Sequence, residues 1–211
     1  MRRRALIPAV AVLLAALAGW GGSRNSTATT GTTTADTRSA TSPATTTTAA
    51  GPGALQAEAN AAAAGDIPDN QVFLLFRNDR AGYSMKYPEG WAQQGSGSRV
   101  VFRDKNNIVR VVVARESAPT PAAARRDLQR LHGVHVQSAP QPFRLAGSRS
   151  VKAVYTTVSA PNTVTGKRVT LVVDRYYVWR AGRLAVVDLG TPQGVDNVDA
   201  YRLMIESFRW R

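Results

Sequence analysis

One dipeptide, Ala181-Gly182, constrains this chain more than any other feature. It stands between two runs rich in Val, Tyr and Trp, Arg168–Trp179 and Arg183–Leu189. Two residues are enough to reverse an antiparallel hairpin, and a loop that short leaves no freedom of register. Arg180 then faces Arg183, Trp179 faces Leu184, Tyr177 faces Val186 and Arg175 faces Asp188. On the other side Tyr176 meets Val187 and Val178 meets Ala185. Asp188 thereby gains a guanidinium, and Arg175 and Asp188 are expected to form a structural ion pair.

The other strands assemble around this hairpin. Arg99–Arg103 and Ile108–Arg115 flank Asp104-Lys105-Asn106-Asn107, a run of turn residues. Val109, Val111 and Val113 share one face. Ile108, Val112 and Ala114 mark the other, interrupted by Arg110, which is the pattern of a central strand covered on both sides. Arg149–Ser159 alternates Val151, Ala153 and Tyr155 with Lys152, Val154 and Thr156. Val72–Phe76 is a continuous apolar run read as a first strand, or as a short turn packed under the sheet. Gly95-Ser96-Gly97-Ser98 reads as a flexible loop, and Pro161–Gly166 as a turn-rich connection. Two helices are expected. Thr120 caps the first, Pro121 suits its opening turn, Gly133 ends it, and Ala124, Leu128 and Leu131 line one face. Asp196 caps the last, with Asp199 in a partial capping box and Val198, Tyr201, Ile205 and Phe208 on one face. The fold class is therefore α+β: a central antiparallel β-sheet of about six strands flanked by helices, an α/β/α sandwich.

Ala81–Trp91 places a corner of the core. Tyr83, Met85 and Tyr87 alternate with Ser84 and Lys86, Pro88 stops the strand, Glu89-Gly90 turns, and Trp91 follows. This Tyr-Ser-Met-Lys-Tyr-Pro-Glu-Gly-Trp stretch resembles the opening motif of PsbP-like domains. Ile67–Leu74 before it and Ile205-Glu206-Ser207-Phe208 at the end resemble the same family, so the likeness covers roughly Ile67–Trp210. It implies an antiparallel sheet between helices. Members of that family include an extrinsic photosystem II subunit and bacterial lipoproteins of unknown role, and a yeast Ran-binding protein shares the fold. These motifs are structural and imply no reaction.

The N-terminus reads as a leader. Met1-Arg2-Arg3-Arg4 is a basic start, and Ala5–Ala18 is an apolar run shorter than the ~20 residues of a membrane-spanning helix. Leu17-Ala18-Gly19-Trp20 matches a bacterial lipobox with Trp20 where the lipid-bearing cysteine belongs. Indole forms no thioether, so the expected mature protein is not lipidated. Cleavage at Ala16-Leu17-Ala18 would release a soluble protein, and an uncleaved leader would anchor it. Ser26–Ala50 is about half threonine and has too few large apolar residues to offset its ordering entropy. Ala54–Ala64 has strong helix propensity, with Gly65 as its stop. The organisation is thus residues 1–22 signal peptide, 23–65 disordered tether and 66–211 folded domain, with an exported, extracytoplasmic location in a bacterial envelope, membrane-associated or secreted.

No constellation of catalytic residues emerges. Cysteine is absent, which excludes disulfides and thiolate chemistry. His132 and His135 are separated by Gly133 and lack acidic neighbours, so no metal site is expected. Asp174 and Asp188 would make an acid/base pair only if they shared a face. The strand-borne aromatics Tyr83, Tyr87, Trp91, Tyr155, Tyr176, Tyr177 and Trp179 are read as core rather than as a stacking platform. The net charge is +13, and 18 of the 22 basic residues after Val72 are Arg. Arginine forks fit phosphate and carboxylate, and Arg125, Arg126 and Arg130 form a basic helix face for an anion. Arginine-rich composition and a solvated helix surface are the alternatives. The expected function is a non-enzymatic envelope module without cofactor. It would be a monomer engaging an envelope protein, an anionic polymer or a membrane surface, with no specific nucleic acid. A small hydrophobic-ligand carrier with a pocket between sheet and helices is the alternative.

Overall fold

The computed structural model describes residues 65–145, 147–162 and 166–211. The leader, the tether and Ala54–Ala64 lie outside the described residues, as do 163–165 of the Pro161–Gly166 connection. The elements run β1 (Phe73–Asn78), β2 (Tyr83–Pro88), β3 (Ala92–Ser96), β4 (Arg99–Asp104), β5 (Asn107–Arg115), α1 (Pro121–Gln129), β6 (Val134–Leu145), β7 (Ser148–Val158), β8 (Thr170–Arg180), β9 (Arg183–Pro192), α2 (Val198–Glu206) and β10 (Arg209–Trp210).

The hairpin that the dipeptide dictates is present. Ala181 and Gly182 have φ of 48° and 79°, the left-handed pair that a two-residue turn requires. All six expected cross-strand partnerships between β8 and β9 are observed. This hairpin lies inside a seven-stranded antiparallel sheet of order β3-β4-β5-β9-β8-β7-β6, and a second sheet has the order β1-β2-β10. The expectation of about six strands therefore becomes seven plus three. β6 escapes sequence reading because Pro140 and Pro142 interrupt it. It tolerates them as an edge strand with two register irregularities. β3 escapes because all five of its residues are exposed, so no apolar alternation marks it. Gly95 and Ser96 belong to that strand, opposite Val100 and Arg99, and not to a flexible loop.

Helices cover both faces of the large sheet. On one side Leu128 of α1 packs on Ala153, Tyr155, Leu171 and Val173, and Ala124 packs on Val151 and Tyr177. On the other, Tyr201, Met204 and Ile205 of α2 join Val109, Val111, Tyr176, Val178, Val187 and Leu189 in the main core. The Tyr83–Trp91 corner enters that core: Tyr83 stacks on Phe208 at 5.5 Å, and Tyr87 on Phe102 at 4.4 Å.

The helix ends refine two expectations. Thr120 Oγ1 accepts the Ala123 N–H at 3.1 Å, and Pro121 opens α1. The helix stops at Arg130, and Gly133, at φ 65°, turns the chain into β6. The N-cap position of α2 is Asn197, whose side chain is diverted, while the Asp196 carboxylate accepts the Val198 N–H at 3.2 Å. The Asn197 side chain accepts the Ile67 N–H at 2.8 Å and donates to Thr191 Oγ1 at 2.8 Å and Gly65 O at 3.1 Å. Val198, expected on the buried face, is 70% exposed because it opens the helix outside its packed turn.

Candidate anion-binding face

β5, β9 and β8 align three charged residues in one row, Arg110 beside Asp188 beside Arg175. Asp188 is 2% exposed and Arg175 4%, so burial alone would drive both neutral. The geometry prevents it. Arg175 Nε donates to Asp188 Oδ1 at 2.7 Å, and its Nη2 donates to Oδ2 at 3.0 Å. Arg110 donates to the same Oδ2 through Nε, at 2.9 Å, and through Nη2. Burial pushes the Asp188 carboxyl up, but the Arg175 and Arg110 guanidiniums outweigh it and hold it down at about 2. Arg175 Nη1 also reaches Asp127 Oδ2 of α1 at 2.9 Å, and the Tyr177 hydroxyl donates to that oxygen at 2.8 Å. The row thus ties α1 to the sheet.

The expected Arg175–Asp188 pair stands, and two members of its network carried no local signal. Arg110 reads in the sequence as a flaw in an apolar face. Nothing in the sequence sets Asp127 apart from its neighbours on the helix.

The same side of the sheet is open beyond α1. Arg99, Val101 and Arg103 of β4 lie opposite Val112, Arg110 and Ile108 of β5. These residues share the face of Arg110 and Asp188, since direct cross-strand partners point the same way. Arg99 and Arg103 are exposed, and Val101 and Val112 are half-buried between them. On this face β4 and β5 carry no carboxylate, since Asp104, next to Arg103, falls on the opposite side of its strand, and Asp188, next in the row, is already saturated. Among the described residues neither Arg99 nor Arg103 has an ion-pair partner. Partial burial and, after it, the like charge of Arg110 lower the Arg103 pKa. Arg125, Arg126 and Arg130 are exposed on or at the end of α1, over the same sheet face. A sequence signal for Arg99 and Arg103 exists: four-residue spacing in a strand places both on one side.

Other candidates disperse. Asp174 lies on the opposite face from Asp188, where Lys152 pairs with it at 2.7 Å and the Tyr176 hydroxyl donates to it at 3.1 Å. Tyr83, Trp91, Tyr155, Tyr176 and Tyr177 are buried, so these aromatics are core. His132 and His135 are exposed, and no cluster of metal-ligating side chains occurs among the described residues. Among the described residues two depressions are open and lie on the surface, one along α2 and Lys86, the other at the β6–β7 hairpin end.

No family model matches the sequence, and no curated protein matches it. Solved structures do. The chain is similar to the cyanobacterial PsbP protein CyanoP of Synechocystis, with 15% identity, 70% of this chain and 98% of that one covered, and a TM-score of 0.51. It is also similar to the Ran-binding protein Mog1p of Saccharomyces cerevisiae (10% identity, 67% and 96% covered, TM-score 0.44) and to LpqN of Mycobacterium tuberculosis, described as involved in cell envelope biogenesis (16%, 66% and 84%, 0.34). The last two superpose too loosely to carry an inference. The first establishes structural similarity to the PsbP-like fold, and at that identity it speaks for the fold alone.

Proposed function

We propose that this chain is an exported, non-enzymatic module of a bacterial cell envelope, related to PsbP-like domains, whose folded part binds an anionic envelope polymer. The reading rests on one observation above all: Arg99 and Arg103 stand exposed without counter-ions on a sheet face whose nearest carboxylate is saturated. A repeating phosphate or carboxylate ligand would supply the missing charges, with arginine forks as bidentate donors and Val101 and Val112 as an apolar floor. The Arg-rich leader, the apolar run and the threonine-rich tether support an exported location for it.

The experiment measures retention of the purified full-length chain on isolated cell-wall polymer across a salt series. Exposed-charge attraction weakens as the Debye length shrinks to about 8 Å near physiological ionic strength, so affinity falls steeply with salt. Arg99→Gln with Arg103→Gln reduces it at least tenfold, and loss of Arg125, Arg126 and Arg130 reduces it less. Anionic vesicles run in parallel: binding there and not to wall polymer makes a membrane surface the partner. Retention indifferent to salt and to both sets of substitutions leaves the arginine excess as composition alone.

A further inference from the structure

Among the described residues four strands form the edges of the two sheets: β3, β6, β1 and β10. An open edge pairs with any strand that reaches it, and folded proteins blunt such edges with prolines, charges, bulges or shortness. Three edges here are blunted. β10 has two residues, β6 carries two prolines and two register irregularities, and β3 is short and polar, with Gly95 in the left-handed region. β1 is different. It reads Phe-Leu-Leu-Phe-Arg-Asn and pairs with β2 without irregularity. Leu74 is 39% exposed, Leu75 47% and the preceding Val72 55%.

The hydrogen-bond phase of this edge is set. Glu89 N–H donates to Val72 O, so the even-numbered residues bond inward to β2. Phe73, Leu75 and Arg77 turn their N–H and C=O groups outward. An antiparallel partner with this same sequence must then match odd residues with odd, and the twofold axis passes through a residue. Centred on Leu74, the pairing spans only Phe73–Leu75 of each β1, because Arg77 would then meet the partner's Gln71, whose N–H is already taken by Pro68 O. Centred on Leu75, it sets Leu75 on Leu75 of the partner subunit, Phe73 against the partner's Arg77, and Leu74 against the partner's Phe76, with no like charges opposed. We infer that β1 is a homodimerisation edge, joining two copies of this chain antiparallel about Leu75 into a continuous six-stranded sheet.

About six backbone hydrogen bonds close across such an edge. Each Arg77 lies over a Phe73 ring, a cation–π arrangement, and the exposed leucines are covered. The monomer expected from sequence took no account of this edge. The inference stands apart from the anion face, which lies on the other sheet, so either can fail alone.

The absence of cysteine makes the test clean. Opposed residues of an antiparallel hydrogen-bonded pair have Cα atoms about 5.5 Å apart, within disulfide range. The full-length Leu75→Cys chain therefore oxidises to a covalent dimer, while Leu203→Cys, exposed on α2, stays monomeric under the same conditions. Light scattering shows the unmodified chain as a concentration-dependent dimer, and Leu75→Arg weakens dimerisation at least tenfold with an unchanged circular dichroism spectrum. An unmodified chain that stays monomeric through the micromolar range overturns the inference. So does a dimer indifferent to Leu75→Arg, or cross-linking equally efficient at Leu203→Cys.

Discussion

Replacing Arg175 by Met tests how Asp188 is held. From the hairpin alone Asp188 has one cation, and removing it strands a buried carboxylate, at about 3–5 kcal/mol. The structure changes that figure. Arg175→Met deletes donor contacts at 2.7 and 3.0 Å to Asp188 and at 2.9 Å to Asp127, but Arg110 remains on Asp188 Oδ2. Asp188 Oδ1 loses its donor while Oδ2 keeps Arg110, so the expected loss is about 2–3 kcal/mol, the scale of a hydrogen bond to a charged group whose charge is still compensated. Arg110, with 23% of its side chain exposed, costs about 1–2 kcal/mol when replaced by Met, because Arg175 still neutralises Asp188. Only the double replacement leaves Asp188 without a cation. Its loss therefore exceeds the sum of the single losses by at least about 1 kcal/mol. Urea unfolding of the four proteins, with linear extrapolation to water, measures each term. Additivity within about 0.5 kcal/mol, or a loss above 4 kcal/mol from Arg175→Met alone, contradicts a carboxylate shared by two guanidiniums (the ~4 kcal/mol bound lies within the range for a stranded buried charge).

Three further outcomes are expected. Asp188 sits at about 2 against an ordinary 3.8, so its contribution is complete above the unfolded value and is lost as pH falls through the folded one; unfolding followed from pH 5 to 2 shows stability dropping below about pH 4, and Asp188→Asn flattens part of that drop. Gly190→Ala places a Cβ 2.8 Å from Ile108 Cγ2 and 3.3 Å from Val173 Cγ2, an overpacking that lowers stability by about 1–3 kcal/mol in the same urea assay. Ala181→Asn relieves the left-handed φ of 48° and raises stability by up to about 1 kcal/mol, and an unchanged or lowered midpoint counts against the turn geometry.

The most legible parts of this fold are those set by local chemistry. Ala181-Gly182 leaves one register, and the observed partners from Arg180 with Arg183 to Arg175 with Asp188 follow from it. The Thr120 cap is equally local. What sequence reading misses is non-local or faces water on both sides. β3, Ala-Gln-Gln-Gly-Ser, has no buried face to create an alternation. β6 keeps two prolines because an edge strand needs hydrogen bonds on one side only. Arg110 becomes intelligible when β9 lies beside β5, a neighbour 78 residues away that no window of sequence reveals. Asn197 holds the N-cap position of α2 but serves Gly65, Ile67 and Thr191 at once, which leaves the side-chain bond to the Val198 N–H to Asp196. The arginine face combines both cases: its spacing is local, but its openness depends on where α1 settles.

We propose that the β4–β5 arginines, rather than the helix arginines or the composition as a whole, meet an anionic polymer. Titration of the isotopically labelled chain with cell-wall polymer, followed through arginine side-chain Nε–Hε resonances and backbone amides, tests it directly. Saturable shifts are expected at Arg99, Arg103 and the β4–β5 amides, and they vanish in the Arg99→Gln, Arg103→Gln protein. Shifts confined to α1, or scattered evenly over the exposed arginines without saturation, contradict it.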